Sequence, residues 1–98
     1  MSATIRWLGE VGKKDKAAIK KKIQGQLLEH GLNGRVELGI SLVKNLHTDV
    51  LSFPLEKEIG PDGVMRLGDI LVCPERAEGQ SLDFLILHGL NHLLGIHH

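Results

Sequence analysis

In the stretch DKAAIKKKIQGQLLEHGLNG, residues 15–34, apolar side chains at Ala18/Ile19, Ile23 and Leu27 recur at helical spacing. A helix with one apolar stripe is stable only when that stripe is buried against another layer. The rest of the chain must therefore supply a layer. Asp15 is placed to cap the helix, Gly31 to supply its left-handed C-terminal residue, and Asn33-Gly34 to turn the chain. Gly25 costs about 1 kcal/mol relative to alanine inside such a helix. Lys13, Lys14, Lys16, Lys20, Lys21 and Lys22 cover its exposed side. His30 sits where a cation complements the helix C-terminus.

The complementary layer reads as strands. Thr4–Leu8 alternates with Ile5 and Trp7 on one face, Val36–Val43 is a second strand, and Thr48–Phe53 is a third, stopped by Pro54. EKEIGPDG, residues 56–63, has the charge, proline and glycine of an exposed turn. Val64–Val72 is a fourth strand, ended by Pro74. Ser81 can cap a final helix with Asp83 in its first turn, running on through Phe84-Leu-Ile-Leu87. The order is β-α-β-β-β-α. This describes an α/β or α+β fold, with a small mixed sheet of about four strands and helices packed on it. Ninety-eight residues without repeats or a linker make residues 1–98 one domain.

With 42% hydrophobic residues, the chain has the material for one core. No apolar run approaches the ~20 residues needed to cross a bilayer. MSATIRWLGEVGKK lacks the apolar segment of a secretory signal. A lone cysteine, Cys73, excludes an intramolecular disulfide; it fits a reducing, cytoplasmic setting and reads as a buried thiol. Residues 1–49 carry nine Lys/Arg and five Asp/Glu, and residues 50–98 three and seven, so a net charge of zero hides a polarity. A basic face of this kind suits an anionic partner such as RNA, with Lys13, Lys16 and Lys20 as candidate phosphate contacts; a merely solvated helix face fits the charge equally well. Trp7, Phe53 and Phe84 read as core, so RNA contacts should be made to the backbone and be salt-sensitive, without base stacking.

The last eleven residues, HGLNHLLGIHH, hold four of the six histidines. His88 and His92 are four apart, so they share one face of the final helix with Cβ atoms about 6 Å apart. Gly95 can end the helix in a left-handed turn and return the chain so that His98 joins them. The pattern H-x3-H-x2-G-x2-H has the spacing of the metzincin zinc motif HExxHxxGxxH, with Gly89 in place of the glutamate. It predicts a zinc ion on His88, His92 and His98 with an open fourth position, and argues against an ordinary metallopeptidase, which needs that glutamate. Two histidines at this spacing also arise incidentally, and a terminal histidine pair also arises from a tag. Three imidazoles accept nickel, cobalt or copper as well as zinc.

HGLNHLLGIHH resembles the HGxLHLxGYDH signature of the YbeY family of metal-dependent endoribonucleases in ribosomal RNA maturation. Thr48–Pro54, TDVLSFP, and Leu67–Ile70, LGDI, with the following LVCPERA, resemble two further blocks of that family in the same order. The resemblance implies a YbeY-like fold, a single-strand-specific endoribonuclease acting in ribosomal RNA processing and ribosome maturation, zinc on His88, His92 and His98, and partners among ribosomal RNA and ribosomal proteins. The chain departs from the pattern at Asn91, where the family has Leu, and at His97, where it has Asp. It has no arginine in Lys44–His47, before the TDVLSFP block, where the family carries a cleft arginine. With Gly89 in the base position, Asp69, Asp49 and His97 are the candidate proton carriers, and an RNA 2′-hydroxyl is an alternative nucleophile. Ser52 reads as a strand-end hydrogen-bonder. A rival from another class is a non-catalytic ribosome-assembly factor that keeps zinc to hold its C-terminus. A third is a hydrolase acting on something other than RNA.

Overall fold

The structure is a computed structural model that describes residues 2–32, 34–55 and 59–95. Its elements are β1 (Ser2–Leu8), α1 (Lys13–Glu29), β2 (Arg35–Leu42), β3 (Val50–Pro54), β4 (Val64–Val72) and α2 (Leu82–Leu93), with a single 3-10 turn at Pro74–Arg76. The four strands form one mixed sheet in the order β1-β2-β4-β3. β1, β2 and β4 run parallel, and β3 closes one edge antiparallel to β4. This is the small mixed sheet with packed helices expected from the periodicities, and of the two classes left open it is α+β. Asn33, the 56–58 part of the expected turn, His97 and His98 lie outside the described residues.

Both helices cover the same face of the sheet. From α1, Ile19, Ile23 and Leu27 are buried; from α2, Leu85, Ile86, Leu90 and Leu93. They meet Ala3, Val36, Leu38, Ile40, Ile70 and Val72 of the strands in a single core. Cys73, directly after β4, is fully buried. Among the described residues no helix is long and apolar enough to cross a membrane.

α1 starts two residues before Asp15. Gly12 is its cap and provides no side-chain hydrogen bond, so Asp15 acts from the first turn through the helix dipole rather than as the cap. Ala18 is exposed, which narrows the stripe to Ile19, Ile23 and Leu27. The C-terminus follows the expected form: Gly31 has φ 78, and Leu32 N–H donates to the Leu27 carbonyl at 2.9 Å. Ser81 caps α2, accepting from Phe84 N–H at 3.4 Å.

Two side-chain links tie the helices together. Gln26 donates to Asn91 Oδ1 at 2.6 Å, and Lys22 pairs with Asp83. Lys22 and Ser81 hold the Asp83 carboxyl down at about 2. An unfolded aspartate titrates near 3.9. The link therefore contributes its full stability above about pH 4 and loses it as the pH falls from 4 towards 2. Both side chains are partly exposed, so the effect is small. Urea unfolding of native protein and Asp83→Asn checks it: the native protein should be slightly more stable at pH 6, and the difference should vanish near pH 2.

The other sheet face is solvated. Arg6 pairs with Glu37 at 3.1 Å and with Asp69 at 3.6 Å, and Arg66 pairs with Asp62 at 2.7 Å and approaches Glu37 at 3.9 Å. A bulge opposite Glu37/Leu38 inserts Leu67 into β4, and Gly68 there has φ 129.

The aromatic expectation needs correcting. Trp7 packs against the core, with Lys16 Nζ 5.8 Å from its ring centroid. Phe53 and Phe84, however, are each 52% exposed. β3 turns Val50 and Ser52 inward and Leu51 and Phe53 outward, because α2 passes too close to this edge for large side chains.

Candidate metal centre

The closeness of α2 to the sheet edge originates at Gly89. A Cβ on this buried residue would stand 2.6 Å from Ile70 Cγ2 and 3.1 Å from Val50 Cγ2. Ser52 Oγ donates to the Gly89 carbonyl at 2.9 Å, which fixes the helix over β3. Ser52 is thus the hydrogen-bonder expected. The position that holds glutamate in zinc peptidases here points into the sheet and has no room for any side chain.

His88 and His92 flank this contact. Their Nε2 atoms lie 3.1 Å apart, with ring centroids at 4.7 Å and planes at 59°. Two nitrogens bound to one tetrahedral zinc at about 2.0–2.1 Å stand about 3.3 Å apart. The pair thus fits two adjacent corners of such a site without rearrangement of the helix. Gly95, with φ 81, ends the helix in the left-handed turn predicted for it. The expected third ligand, His98, lies outside the described residues. Among the described residues no three His, Cys, Asp or Glu side chains cluster to hold an ion. What the structure describes is therefore a pair of imidazoles, two candidate ligands.

The two rings border a cleft of about 440 Å³ between α2 and the start of β3, lined also by Thr48, Asp49, Ser52 and Pro54. Thr48 and Asp49, read as the beginning of a strand, precede β3 and form the wall of this cleft. Thr48 Oγ1 donates to Asp49 Oδ1 at 3.3 Å, and the Asp49 carbonyl accepts from Cys73 N–H at 2.8 Å. Asp49 is thus a carboxylate whose backbone is anchored in the wall of the same cleft.

The other candidates are placed elsewhere. Asp69 lies on the open face of the sheet with Arg6, whereas its neighbour Ile70 faces α2. The sheet separates it from the histidines, and His97 lies outside the described residues. Lys16 is over Trp7 on β1, the edge opposite β3, and Lys13 and Lys20 share its side of α1 at helical spacing. Three inter-strand spacings separate these edges, about 14 Å. No Lys or Arg lines the cleft among the described residues. Phe84, one of the two aromatics that sequence reasoning misassigned to the core, lies one turn before His88 on α2. Its ring lies within 18° of parallel to the imidazole at 6.4 Å between centroids.

A four-stranded mixed sheet with both helices on one face, carrying paired imidazoles over its antiparallel edge, defines a small α+β domain with a candidate metal centre. Comparison with known proteins places this domain in a family. The family model described as Endoribonuclease YbeY matches residues 41–98, which include the cleft-wall strand and the histidine helix. The endoribonuclease YbeY of Bacillus licheniformis is 31% identical over 121 aligned positions, covering 92% of this chain and 77% of that protein. Those of Corynebacterium jeikeium and Aquifex aeolicus are 39% and 40% identical over 52% and 56% of the chain. The chain belongs to the YbeY family. The matches to the latter two span only 38% and 42% of those proteins, less than half their length.

Proposed function

We propose that the chain is a metal-dependent endoribonuclease that cleaves single-stranded RNA, and that it acts in ribosomal RNA processing with zinc held by His88, His92 and His98. The observation that carries this reading is the 3.1 Å separation of two imidazole nitrogens at the mouth of a cleft. The relatives' printed name, endoribonuclease, supports the reaction class. A divalent ion bound there would supply Lewis-acid charge relief at a phosphoryl oxygen and a nucleophile at neutral pH.

The chain's own residues divide the remaining work. Gly89 brings α2 against β3 and so fixes the distance between the rings and the opposite wall. Asp49 accepts the proton of the attacking group, because among the described residues it is the carboxylate that shares the cleft with both histidines. Thr48 holds one of its oxygens by a hydrogen bond, leaving the other for that role.

The absence of Lys and Arg from the described cleft lining favours a second reading, a non-catalytic ribosome-assembly factor that keeps the ion for structure. One experiment separates the two. Purified protein is assayed on single-stranded and duplex RNA, before and after chelation, with zinc content measured in parallel. The endonuclease reading expects about one zinc per chain and cleavage of single strands that chelation abolishes and zinc restores. Zinc-dependent binding without cleavage would instead favour the assembly factor. For the proton acceptor, Asp49→Asn should keep its zinc and lose cleavage by about 10²- to 10⁴-fold, the usual range for a general base. Unchanged cleavage in this variant would remove Asp49 from the role.

A further inference from the structure

The structure leaves one large aromatic side chain next to the candidate centre with no part in the core. Phe84 is 52% exposed, although it stands in the first turn of a helix whose Leu85 and Ile86 are fully packed. It precedes His88 by one helical turn, and the two rings are nearly parallel. A planar ligand on the exposed ring would continue along the same helix towards the cleft that holds His88 and His92.

We infer that Phe84 is a stacking platform for a nucleobase of single-stranded RNA, and that it positions the adjoining phosphate at the histidine pair. This rests on the endoribonuclease reading and adds to it the group that holds the substrate. The charge distribution gives the reason such a group is needed. Tight RNA binding without stacking requires several phosphate contacts by Lys or Arg, and none line the cleft among the described residues. Lys13, Lys16 and Lys20 are on the β1 side of the fold, and Lys22 is paired with Asp83. Base stacking on an aromatic ring changes affinity by about 5- to 100-fold per base and is tolerant of sequence. It also requires an unstacked base, which a single strand offers and a duplex does not. Phe84 is therefore a positioning residue that selects strandedness without reading sequence.

The test measures binding of a labelled, nuclease-resistant 2′-O-methyl oligoribonucleotide by fluorescence anisotropy, using zinc-loaded protein. Phe84→Leu keeps an apolar side chain and removes the ring. It should weaken binding about 5- to 100-fold, with zinc content and thermal midpoint unchanged, and Phe84→Trp should restore affinity. An abasic sugar at one position of the oligonucleotide should cost the native protein a similar factor and cost Phe84→Leu nothing further. If native protein binds and cleaves RNA while Phe84→Leu has the same affinity, the platform is wrong and the endoribonuclease reading stands. If native protein neither binds the oligonucleotide nor cleaves RNA, both fall together.

Discussion

On the proposed zinc-endoribonuclease reading, replacing His92 by alanine should reduce bound zinc from one ion per chain to a trace and bring RNA cleavage down by at least about 100-fold. Partners one shell beyond a metal already cost 10- to 100-fold in affinity or activity when mutated, so a direct ligand sets a higher floor. The 3.1 Å between His88 and His92 Nε2 atoms means that either ring alone offers only one of these two donors. His88→Ala should behave alike. Neither substitution opens the core: His88 is exposed and His92 is half-buried. The thermal midpoint measured in chelator should therefore stay close to that of native protein. Full zinc occupancy in both variants, by elemental analysis, would show that the pair does not hold the ion.

The second large effect is on stability. Gly89→Ala places a methyl group 2.6 Å from Ile70 Cγ2 in a packed core. Overpacking of this kind costs about 1–3 kcal/mol. Alanine's helix preference offsets up to about 1 kcal/mol of it. The net loss should be about 1–2 kcal/mol, which for a domain of this size lowers the thermal midpoint by about 5–15 °C. Restoring the peptidase-like glutamate with Gly89→Glu should prevent folding, because it would bury an unpaired carboxylate between Ile70 and Val50. A native-like melting curve for Gly89→Ala would mean that the helix is not held as close to β3 as described.

The sequence made the elements and part of the site legible because both depend on short-range spacing. Val64–Val72, the Ser81 cap and the left-handed Gly31 and Gly95 all follow from local chemistry, as does the sharing of one helix face by His88 and His92. Three features depend instead on how layers meet. Phe84-Leu85-Ile86-Leu87 is apolar throughout, so helical phase alone cannot single out Phe84 as the exposed member. In β3 the alternation of Leu51 and Phe53 suggests an inward pair, but the close helix admits only Val50 and Ser52. Gly89 reads as a missing base when it is aligned with a peptidase motif, yet three-dimensional packing shows that it is a contact point. The lysines of α1 follow from helical phase. Their distance from the histidines is set by strand order, which periodicity does not encode.

The bulge in β4 has an effect on the opposite side of the sheet. Arg66 and Asp69 are three residues apart, and in a regular strand they would point in opposite directions. The inserted Leu67 and the φ of 129 at Gly68 bring both to the solvated face, where they join the ion pairs through Glu37 and Arg6. Deleting Leu67 would make the strand regular and leave Arg66 and Asp69 two apart, so both would stay on the solvated face. The irregularity thus lets a strand one residue longer than its partner keep Asp69 beside Arg6 and Glu37, on the face turned away from α2.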